Sequence, residues 1–391
     1  MNYYEKALAM HAENHGKIEL VSKVPVKTRE DLSTAYTPGV AEPCRKITEN
    51  AESAYTYTAK GNLVAIVTNG TAVLGLGNIG PTAALPVMEG KAILFKEFGG
   101  VDAFPICLDA KTAEEVIAAV RMLAPTFGGI NLEDISSPDC FAIEEILEKE
   151  LEIPVFHDDQ HGTAIVVTAA LLGALRVVGK KIDEIKVVLN GPGAAGTAII
   201  KMLLAAGVKN VIACDENGIL YKERGIGVIE HKKMLCDITN LSDMRGTLAD
   251  ALKGADVFIG VSVAGALKPE MVKSMARDAI VFAMANPAPE ILPDEAKAAG
   301  ARVVGTGRSD FANQINNVLA FPGVFKGALS VRARDINSAM KVAAAHAIAD
   351  LVSDAERSEN YIIPDVFDKR VADAVADAVA NAARITGVAR I

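Results

Sequence analysis

A glycine-rich turn between a short apolar run and a helical pattern constrains the fold of this chain most. Residues 185–190 (IKVVLN) are apolar, Gly191-Pro-Gly-Ala-Ala-Gly196 follows, and a helical pattern continues over 197–206. GxGxxG in this frame is typical of the first strand, turn and helix of a doubly wound parallel sheet. The sequence therefore predicts α/β architecture with a Rossmann-type sheet in this part of the chain.

The same turn is a candidate dinucleotide site. Its glycines let the backbone approach a pyrophosphate, and a helix N-terminus offers N–H groups and partial positive charge. The next apolar run ends at Asp215, where an acid commonly binds the adenosine ribose. Asp215 would repel a 2′-phosphate, which favours NAD over NADP, whereas Lys222 and Arg224 nearby weaken that preference. The alternative is a turn that serves only close packing. The predicted contacts with NAD or NADP are Gly191, Gly193, Ala194, Ala195, Gly196 and Asp215.

Apolar runs alternate with amphipathic stretches along most of the chain, without a repeat or a linker. This pattern predicts an N-terminal α/β substrate and metal domain (1–160) and a Rossmann-type domain (161–391). We expect about 330–391 to pack back on the first domain, with a helix opening at Pro364, and the active site to lie in the cleft between the domains. The predicted strands are 63–68, 103–108, 128–133, 153–158, 185–190, 211–215, 256–261, 279–285 and 302–306, and the predicted helices include 112–123, 139–150 and 162–179.

A second GxGxxG, Gly75-Leu-Gly-Asn-Ile-Gly80, lacks this strand–helix frame. Pro81 and Pro86 follow it, and a proline inside a helix removes a hydrogen bond and clashes with the preceding turn. We therefore expect a turn-rich wall of the active site here, not a regular helix or a second dinucleotide site.

Composition excludes several classes of function. The net charge of −9 argues against a nucleic-acid binder. No uncharged apolar run reaches the length of a membrane span, and the polar N-terminus does not resemble a secretory signal. Five cysteines without a CxxC pair favour reduced thiols, so we expect a cytoplasmic protein that acts on a small molecule.

Acidic residues follow three predicted strands. Asp109, the pair Glu133-Asp134 and the pair Asp158-Asp159 each come where a strand ends. Ligands bind at the carboxyl ends of parallel strands, and carboxylates converging there favour Mg²⁺ or Mn²⁺. The alternative is that these acids are solvated or cap the following helices. Zinc is not predicted, because the neighbouring ligands are oxygens.

Two further residues could move protons. Tyr36 lies in a polar, turn-rich stretch, and Lys91 heads an apolar run in which burial would depress its pKa and make it a base. Residue chemistry alone leaves both open, since Tyr36 could be a core residue and Lys91 a surface charge.

Seven segments in order along most of the chain resemble the malic enzymes of the compact prokaryotic form. This resemblance implies oxidative decarboxylation of malate to pyruvate with NAD or NADP and a divalent metal, together with oxaloacetate decarboxylation and a homodimer or higher homo-oligomer. The segments are TAYTPGVAEP (34–43), MEGKAILFKEFGGVDAFPICLD (88–109), INLEDI (130–135), FHDDQHGTA (156–164), GPGAAG (191–196), FAMANPAPE (282–290) and INNVLAFPGVFKGAL (315–329).

The resemblance also implies roles for single residues. Tyr36 matches the general acid and Lys91 the general base, which also contacts substrate. Asn286 and Asn317 match asparagines that hold the substrate beside the nicotinamide, and Asn286 also matches a cofactor contact. The implied metal ligands are Glu133, Asp134 and Asp159, with Asp158 and Asp109 as supporting acids.

One position departs from the family pattern. Ala72 stands where larger members carry an arginine that binds a substrate carboxylate, so Asn78, a lysine or a residue of a second subunit would have to replace it. Two other functions stay open on the residues alone: a dinucleotide-binding regulatory protein, and a hydroxy-acid dehydrogenase without decarboxylation.

Overall fold

The structure, a computed structural model, describes residues 2–73, 75–224 and 230–391. The N-terminal segment is helical and exposed, and none of the residues in its four α-helices is buried. These helices are α1 (Tyr3–Asn14), α2 (Arg29–Ala35), α3 (Ala41–Glu49) and α4 (Ala54–Tyr57).

A four-stranded parallel sheet forms the first domain, in the order β2-β1-β3-β4. Residues 64–67 of its central strand are completely buried, because helices cover both faces of the sheet. The elements are β1 (Leu63–Thr68), α5 (Pro81–Gly99), β2 (Asp102–Cys107), α6 (Ala113–Leu123), β3 (Gly129–Leu132), α7 (Asp139–Glu150), β4 (Val155–His157) and α8 (Asp158–Val178).

Helix α5 overturns the prediction for the segment after the first glycine turn. It continues through Pro86 for 19 residues. Pro81 takes the first helical position, where the missing N–H is harmless, and one interior proline removes only one intrahelical hydrogen bond. The helix is held by packing: Met88, Ala92 and Phe95 on one of its faces are buried.

The second domain is a six-stranded sheet in the order β10-β9-β8-β5-β6-β7, parallel except for the short hairpin strand β7. The predicted doubly wound architecture is confirmed. Its elements are β5 (Lys186–Asn190), α9 (Ala194–Ala205), β6 (Asn210–Asp215), β7 (Gly218–Ile219), α10 (Glu230–Ile238), α11 (Leu248–Leu252), β8 (Val257–Gly260), α12 (Pro269–Lys273), β9 (Ala279–Ala283), α13 (Pro293–Ala298) and β10 (Ala301–Thr306).

Three C-terminal helices join the two domains: α14 (Phe321–Ser330), α15 (Ser338–Asp350) and α16 (Arg370–Ile385). Phe321 and Phe325 of α14 pack on Phe95 of α5, with ring centroids 4.7 and 5.3 Å apart. The last helix begins at Arg370, not at the predicted Pro364. Just before it, the Asp368 carboxylate accepts the backbone N–H of Arg370 in an Asx turn.

Helix α8 is the central helix of the protein. By length and composition it could cross a membrane, but 67% of its apolar window is buried inside the protein. Its first turn carries Asp158 and Asp159 at the carboxyl end of β4, and its body packs between the two sheets. One rigid element therefore connects the acidic residues of the first domain to the core of the second.

Candidate active site

A cleft of about 510 Å³ lies between the carboxyl ends of the two sheets. Acidic residues of the first domain lie on one side, and the glycine turn and the asparagine-bearing loops of the second lie on the other. Among the described residues, its lining includes Ala72, Asp134, Asp159, Ala194, Ala195, Ser262, Asn286 and Asn317.

Three of the predicted acids meet at this cleft. One carboxylate oxygen each from Glu133, Asp134 and Asp159 lies within 4.8 Å of the other two. The backbone N–H of Asp134 donates to Asp159 Oδ2 at 2.8 Å, which connects the ends of β3 and β4. Asp134 has a φ of 52°, a left-handed conformation uncommon outside glycine, so the chain bends sharply to bring its carboxylate here.

Lys91 lies beneath these carboxylates and is only 7% exposed. Its Nζ is 2.6 Å from Asp158 Oδ2 and 2.9 Å from Glu133 Oε1, and it lies 4.2 Å from the centroid of the Phe321 ring. Asn317 donates a hydrogen bond to the same Asp158 oxygen. Asp158 therefore connects the lysine to the loop before α14.

The prediction of a depressed lysine pKa is wrong. Burial alone would lower the pKa of Lys91, but the carboxylates of Asp158 and Glu133 outweigh burial and raise it above its ordinary value. The apolar run around Lys91 in the sequence does not predict its charge state, because the carboxylates that raise its pKa come from two other segments of the chain.

The acids show the reciprocal effect. Burial raises the pKa of Glu133 and of Asp158 to about 7, although Lys91 lowers both, and burial raises that of Asp159 to about 6. With Asp134, four carboxylates face one ammonium group. A divalent cation fits this set, because its charge would offset the excess and the donors are the hard oxygens that Mg²⁺ and Mn²⁺ prefer.

Glu144 of α7, which the sequence analysis missed, supports this wall. Its carboxylate accepts hydrogen bonds from the backbone N–H of His157 at 2.8 Å and from Gln160, and it contacts His161 Nε2 at 2.9 Å. Burial opposes its ionisation, but His161 and Lys341 outweigh burial and lower the pKa of Glu144 to about 2. An ionised carboxylate thus holds the junction of β4 and α8. No local pattern distinguishes Glu144 from the other acids of α7.

Asp109 does not join this group. Its side chain is exposed and pairs with Lys111, although the strand before it lies in the same sheet. It follows β2, which β1 separates from β3, whereas the three converging acids follow the neighbouring strands β3 and β4.

The glycine turn has the geometry of a pyrophosphate site. A side chain at Gly191 would meet the Val261 carbonyl oxygen at 2.5 Å, and one at Gly196 would meet the Gly191 carbonyl oxygen at 2.1 Å. At Gly193, the N-cap of α9, no described atom lies within 4 Å of the same position. Two glycines therefore permit close packing, and the third leaves room for a ligand at the helix N-terminus.

The opposite wall is organised by Glu290, a second residue that the sequence analysis missed. It is completely buried and accepts hydrogen bonds from the backbone N–H and hydroxyl of Ser262 and from the Ala285 N–H, at 2.8, 2.9 and 3.0 Å. It therefore connects the loop after β8 to the loop after β9, which carries Asn286 into the cleft.

Tyr36 is not brought to this cleft within the chain. It follows α2, is 68% exposed, and is not among the residues that line the cleft, whereas Lys91 is buried. Ala72 lies on the rim, and no described lining residue is an arginine or a lysine. One chain thus assembles the carboxylates, Lys91 and the dinucleotide turn, but not the tyrosine.

Comparison with known proteins covers both domains. The family description "Malic enzyme, N-terminal domain" matches residues 15–148, and "Malic enzyme, NAD binding domain" matches residues 160–384. A bifunctional malic/malolactic enzyme of Bacillus subtilis is 61% identical over all of this chain and 95% of its own length. An NAD-dependent malic enzyme of Geobacillus stearothermophilus is 58% identical over all of this chain and 81% of its own. The crystal structure of a malic enzyme from Pyrococcus horikoshii superposes with a TM-score of 0.96 at 53% identity, covering all of this chain and 92% of that one.

Proposed function

This chain belongs to the malic enzyme family, and we propose that it oxidises malate and decarboxylates the product to pyruvate and CO₂ with NAD or NADP. The observation that carries this proposal is that Asp134, Asp159 and the glycine turn line one cleft, with Glu133 within 4.8 Å of both acids and Lys91 in contact with Glu133. We propose that Glu133, Asp134 and Asp159 hold Mg²⁺ or Mn²⁺. The bound ion would supply a Lewis acid, and a dinucleotide held at the Gly191–Gly196 turn would supply the hydride acceptor.

Lys91 is the group that takes the proton of the C2 hydroxyl. It must first give up a proton of its own, and Asp158 is the acceptor, since the two side chains are 2.6 Å apart and the pKa of Asp158 is raised to about 7. Asn317 donates to the same carboxylate and so keeps it directed at Lys91. Lys91 and Asp158 are thus in contact before substrate binds.

Asn286 and Asn317 lie on the second-domain side of the cleft and offer amide groups to the substrate. Loss of CO₂ from C3 of the oxidised acid leaves an electron pair on that carbon, which must then take a proton. We propose Tyr36 as its donor, because a phenol remains protonated at neutral pH.

Cofactor preference is the finer question, because relatives are named both NAD- and NADP-dependent. Asp215 Oδ2 accepts hydrogen bonds from Arg224 at 2.5 Å and Lys232 at 2.8 Å, and its side chain is 1% exposed. These cations offset the charge that we expected to repel a 2′-phosphate. We therefore propose that NADP is accepted beside NAD.

The cofactor proposal is tested with Lys232→Gln and a control, Lys222→Gln, which changes an exposed lysine of the same region. The first should lower the ratio of kcat/KM for NADP to that for NAD and weaken binding of 2′,5′-ADP in calorimetry, and the control should change neither. An unchanged ratio in Lys232→Gln contradicts the assignment. Asp215→Ser should shift the ratio toward NADP.

One assay tests the reaction as a whole. The protein is incubated with malate, Mn²⁺ and either dinucleotide, and reduced cofactor, pyruvate and lactate are measured together. Equal amounts of reduced cofactor and pyruvate support the proposal. Oxaloacetate without pyruvate indicates a dehydrogenase without decarboxylation, and no turnover indicates a regulatory protein. Lactate without net reduced cofactor would favour the second candidate, a malolactic conversion, which the name of the Bacillus subtilis relative suggests.

A further inference from the structure

A second cavity, of about 610 Å³, lies beside the C-terminal end of α8. Its lining includes Arg176 in the last turn of α8 and Arg302 near the start of β10. Asp158 and Asp159 lie in the first turn of α8, and a helix of 21 residues is about 30 Å long. The second cavity and the carboxylates of the cleft therefore lie near opposite ends of one helix.

Positive charge predominates in the lining of the second cavity. Three arginines, Arg176, Arg302 and Arg357, line it together with two acids, Asp354 and Glu359. The chain as a whole carries a net charge of −9, so an excess of arginine is not a general property of this protein. Among the described residues of the lining none is aromatic, so a nucleobase would have no ring to stack on. The lining therefore has the chemistry of a site for a small anion without a base.

Arg357 is a buried cation with an exposed counter-ion. Its side chain is 8% exposed, whereas that of its ion-pair partner Asp354 is 97% exposed. Arg357 also donates to the Val352 carbonyl oxygen, but its Nε is buried and has no hydrogen-bond acceptor among the described residues. Burying a charge costs free energy unless it is paired, and a fully exposed partner contributes little. Further negative charge in the second cavity would therefore stabilise Arg357.

Arg302 offers a second guanidinium group, which an anion can reach from solvent. Its side chain is 53% exposed, and its Nη1 lies 2.8 Å from an oxygen of Glu359. A guanidinium has five N–H groups and binds a phosphate through two parallel hydrogen bonds. Because a phosphate dianion carries more charge than one carboxylate, it can displace Glu359 from Arg302.

Glu359 connects the second cavity to the cleft through Asn313. The buried Asn313 side chain donates to the Glu359 carbonyl oxygen at 2.8 Å and accepts the Ile362 N–H at 3.0 Å. Further along the same segment, Asn317 lines the cleft and donates to Asp158. A short chain of contacts therefore joins the acid that pairs with Arg302 to an asparagine of the cleft.

We propose that the second cavity binds the phosphate group of a small metabolite, and that this binding weakens malate binding in the cleft. The second half of this statement rests on the proposed function. The phosphate takes Arg302 from Glu359 and supplies the counter-charge that Arg357 lacks. Glu359 then supports Asn313 less firmly, so the amide of Asn317 is held less firmly toward the substrate. By linkage, malate should weaken phosphate binding by the same factor.

Calorimetry with inorganic phosphate tests the site without turnover. The protein is first saturated with NAD⁺, so that the glycine turn is not a competing phosphate site. Arg302→Gln and Arg357→Gln should each weaken phosphate binding about tenfold or more, since each removes charge-assisted hydrogen bonds. Arg277→Gln is the control, because it removes the same charge from a side chain that is 94% exposed and outside the cavity. Arg302→Gln decides the result if Arg357→Gln does not fold.

Steady-state rates test the connection to the cleft. At constant ionic strength, with NAD⁺ and Mg²⁺, phosphate should raise the KM for malate about fivefold or more in the wild type and in Arg277→Gln. Arg302→Gln should have a raised KM without phosphate, because Glu359 has already lost its partner. Added phosphate should then raise this KM no further.

Three results would overturn the inference. Equal phosphate affinity of the wild type and Arg302→Gln would show that the arginines do not form the site. Absence of phosphate binding to the wild-type protein would remove the site altogether. Phosphate that binds through Arg302 but leaves the KM for malate unchanged would refute the connection to the cleft. A protein that binds phosphate through Arg302 and does not oxidise malate would instead refute the proposed function.

Discussion

Lys91 and Tyr36, the two groups that we propose to move protons, lie in opposite surroundings. Lys91 is 7% exposed and is in contact with two carboxylates and an aromatic ring, whereas Tyr36 is 68% exposed and follows α2, a helix without a buried residue. The charge of Lys91 is part of the balance of the core, because burying an unpaired carboxylate is costly. Tyr36, which is exposed, has no comparable role in the charge balance of the core.

Because of this difference, we expect substitution of Tyr36 to change activity without changing stability, whereas substitution of Lys91 should change both. Changing a buried ionic group alters both the chemistry and the free energy of unfolding. Changing an exposed phenol should alter the chemistry alone, since exposed substitutions usually shift stability by less than about 0.5 kcal/mol.

The largest effect on activity should come from a substitution in the carboxylate cluster near Lys91. Asp159→Asn removes one of the three converging carboxylates and should slow malate oxidation and oxaloacetate decarboxylation about a thousandfold or more, or roughly 4 kcal/mol. Mn²⁺ affinity in calorimetry should fall, while dinucleotide affinity stays. Asp109→Asn, which changes the exposed acid paired with Lys111, is the control. Full activity of Asp159→Asn in excess chelator would remove the metal from the proposal.

Lys91→Met should reduce both malate oxidation and the stability of the fold. Malate oxidation should fall about a hundred- to ten-thousandfold, because the base is gone. The metal-free protein should also lose roughly 3–5 kcal/mol of unfolding free energy, because Glu133 and Asp158 lose their cation. Denaturant titration and steady-state rates measure the two, and Lys96→Met, an exposed lysine of the same helix, should change neither. A variant of wild-type stability would show that Lys91 does not hold these acids in the fold.

Tyr36→Phe should change activity without changing the free energy of unfolding, whereas Lys91→Met should change both. Solvent deuterium should enter C3 of pyruvate at least about a hundredfold more slowly, while much of the hydride step remains. The free energy of unfolding of the chain should change by less than about 0.5 kcal/mol. Deuterium exchange at the wild-type rate would make the tyrosine structural.

The smallest effect at neutral pH is expected from His157, a buried group that makes stability depend on acid pH. His157 is completely buried beside the carboxylates, and burial lowers its pKa to about 4 from an ordinary 6.5. Between these values the unfolded chain binds a proton that the folded chain does not. Stability is therefore present above pH 6.5 and lost as the pH falls toward 4, by about 3 kcal/mol from this residue.

Urea titrations at pH 7.5 and pH 4.5 measure this loss, and His157→Gln should reduce the difference between them. An equal difference in wild type and variant would assign the acid sensitivity to other groups. The helices on either side of Tyr36, α2 and α3, have no buried residue, so Tyr36→Phe should leave the difference unchanged.

Much of the fold was predictable from the sequence because the signals are local. The strand predicted at 63–68 has those bounds in the structure, and the glycine turn lies between β5 and α9 as expected. The sequence also predicted that acids after neighbouring strands would meet, because parallel strands end at one edge of their sheet. Asp109 was the exception, since residue order along the chain does not reveal which strands are neighbours in the sheet.

By itself the sequence determined the hydrophobic periodicity of the helices and strands, the turn chemistry of Gly191–Gly196 and which residue types were available for catalysis. Only the tertiary structure decided the charge of Lys91, the continuation of α5 through Pro86, the neutralisation of Asp215 by Arg224 and Lys232, and the exposure of Tyr36. The physical reason is range. Backbone preferences depend on neighbours along the chain, whereas desolvation and Coulomb interactions depend on neighbours in space, which come from remote segments.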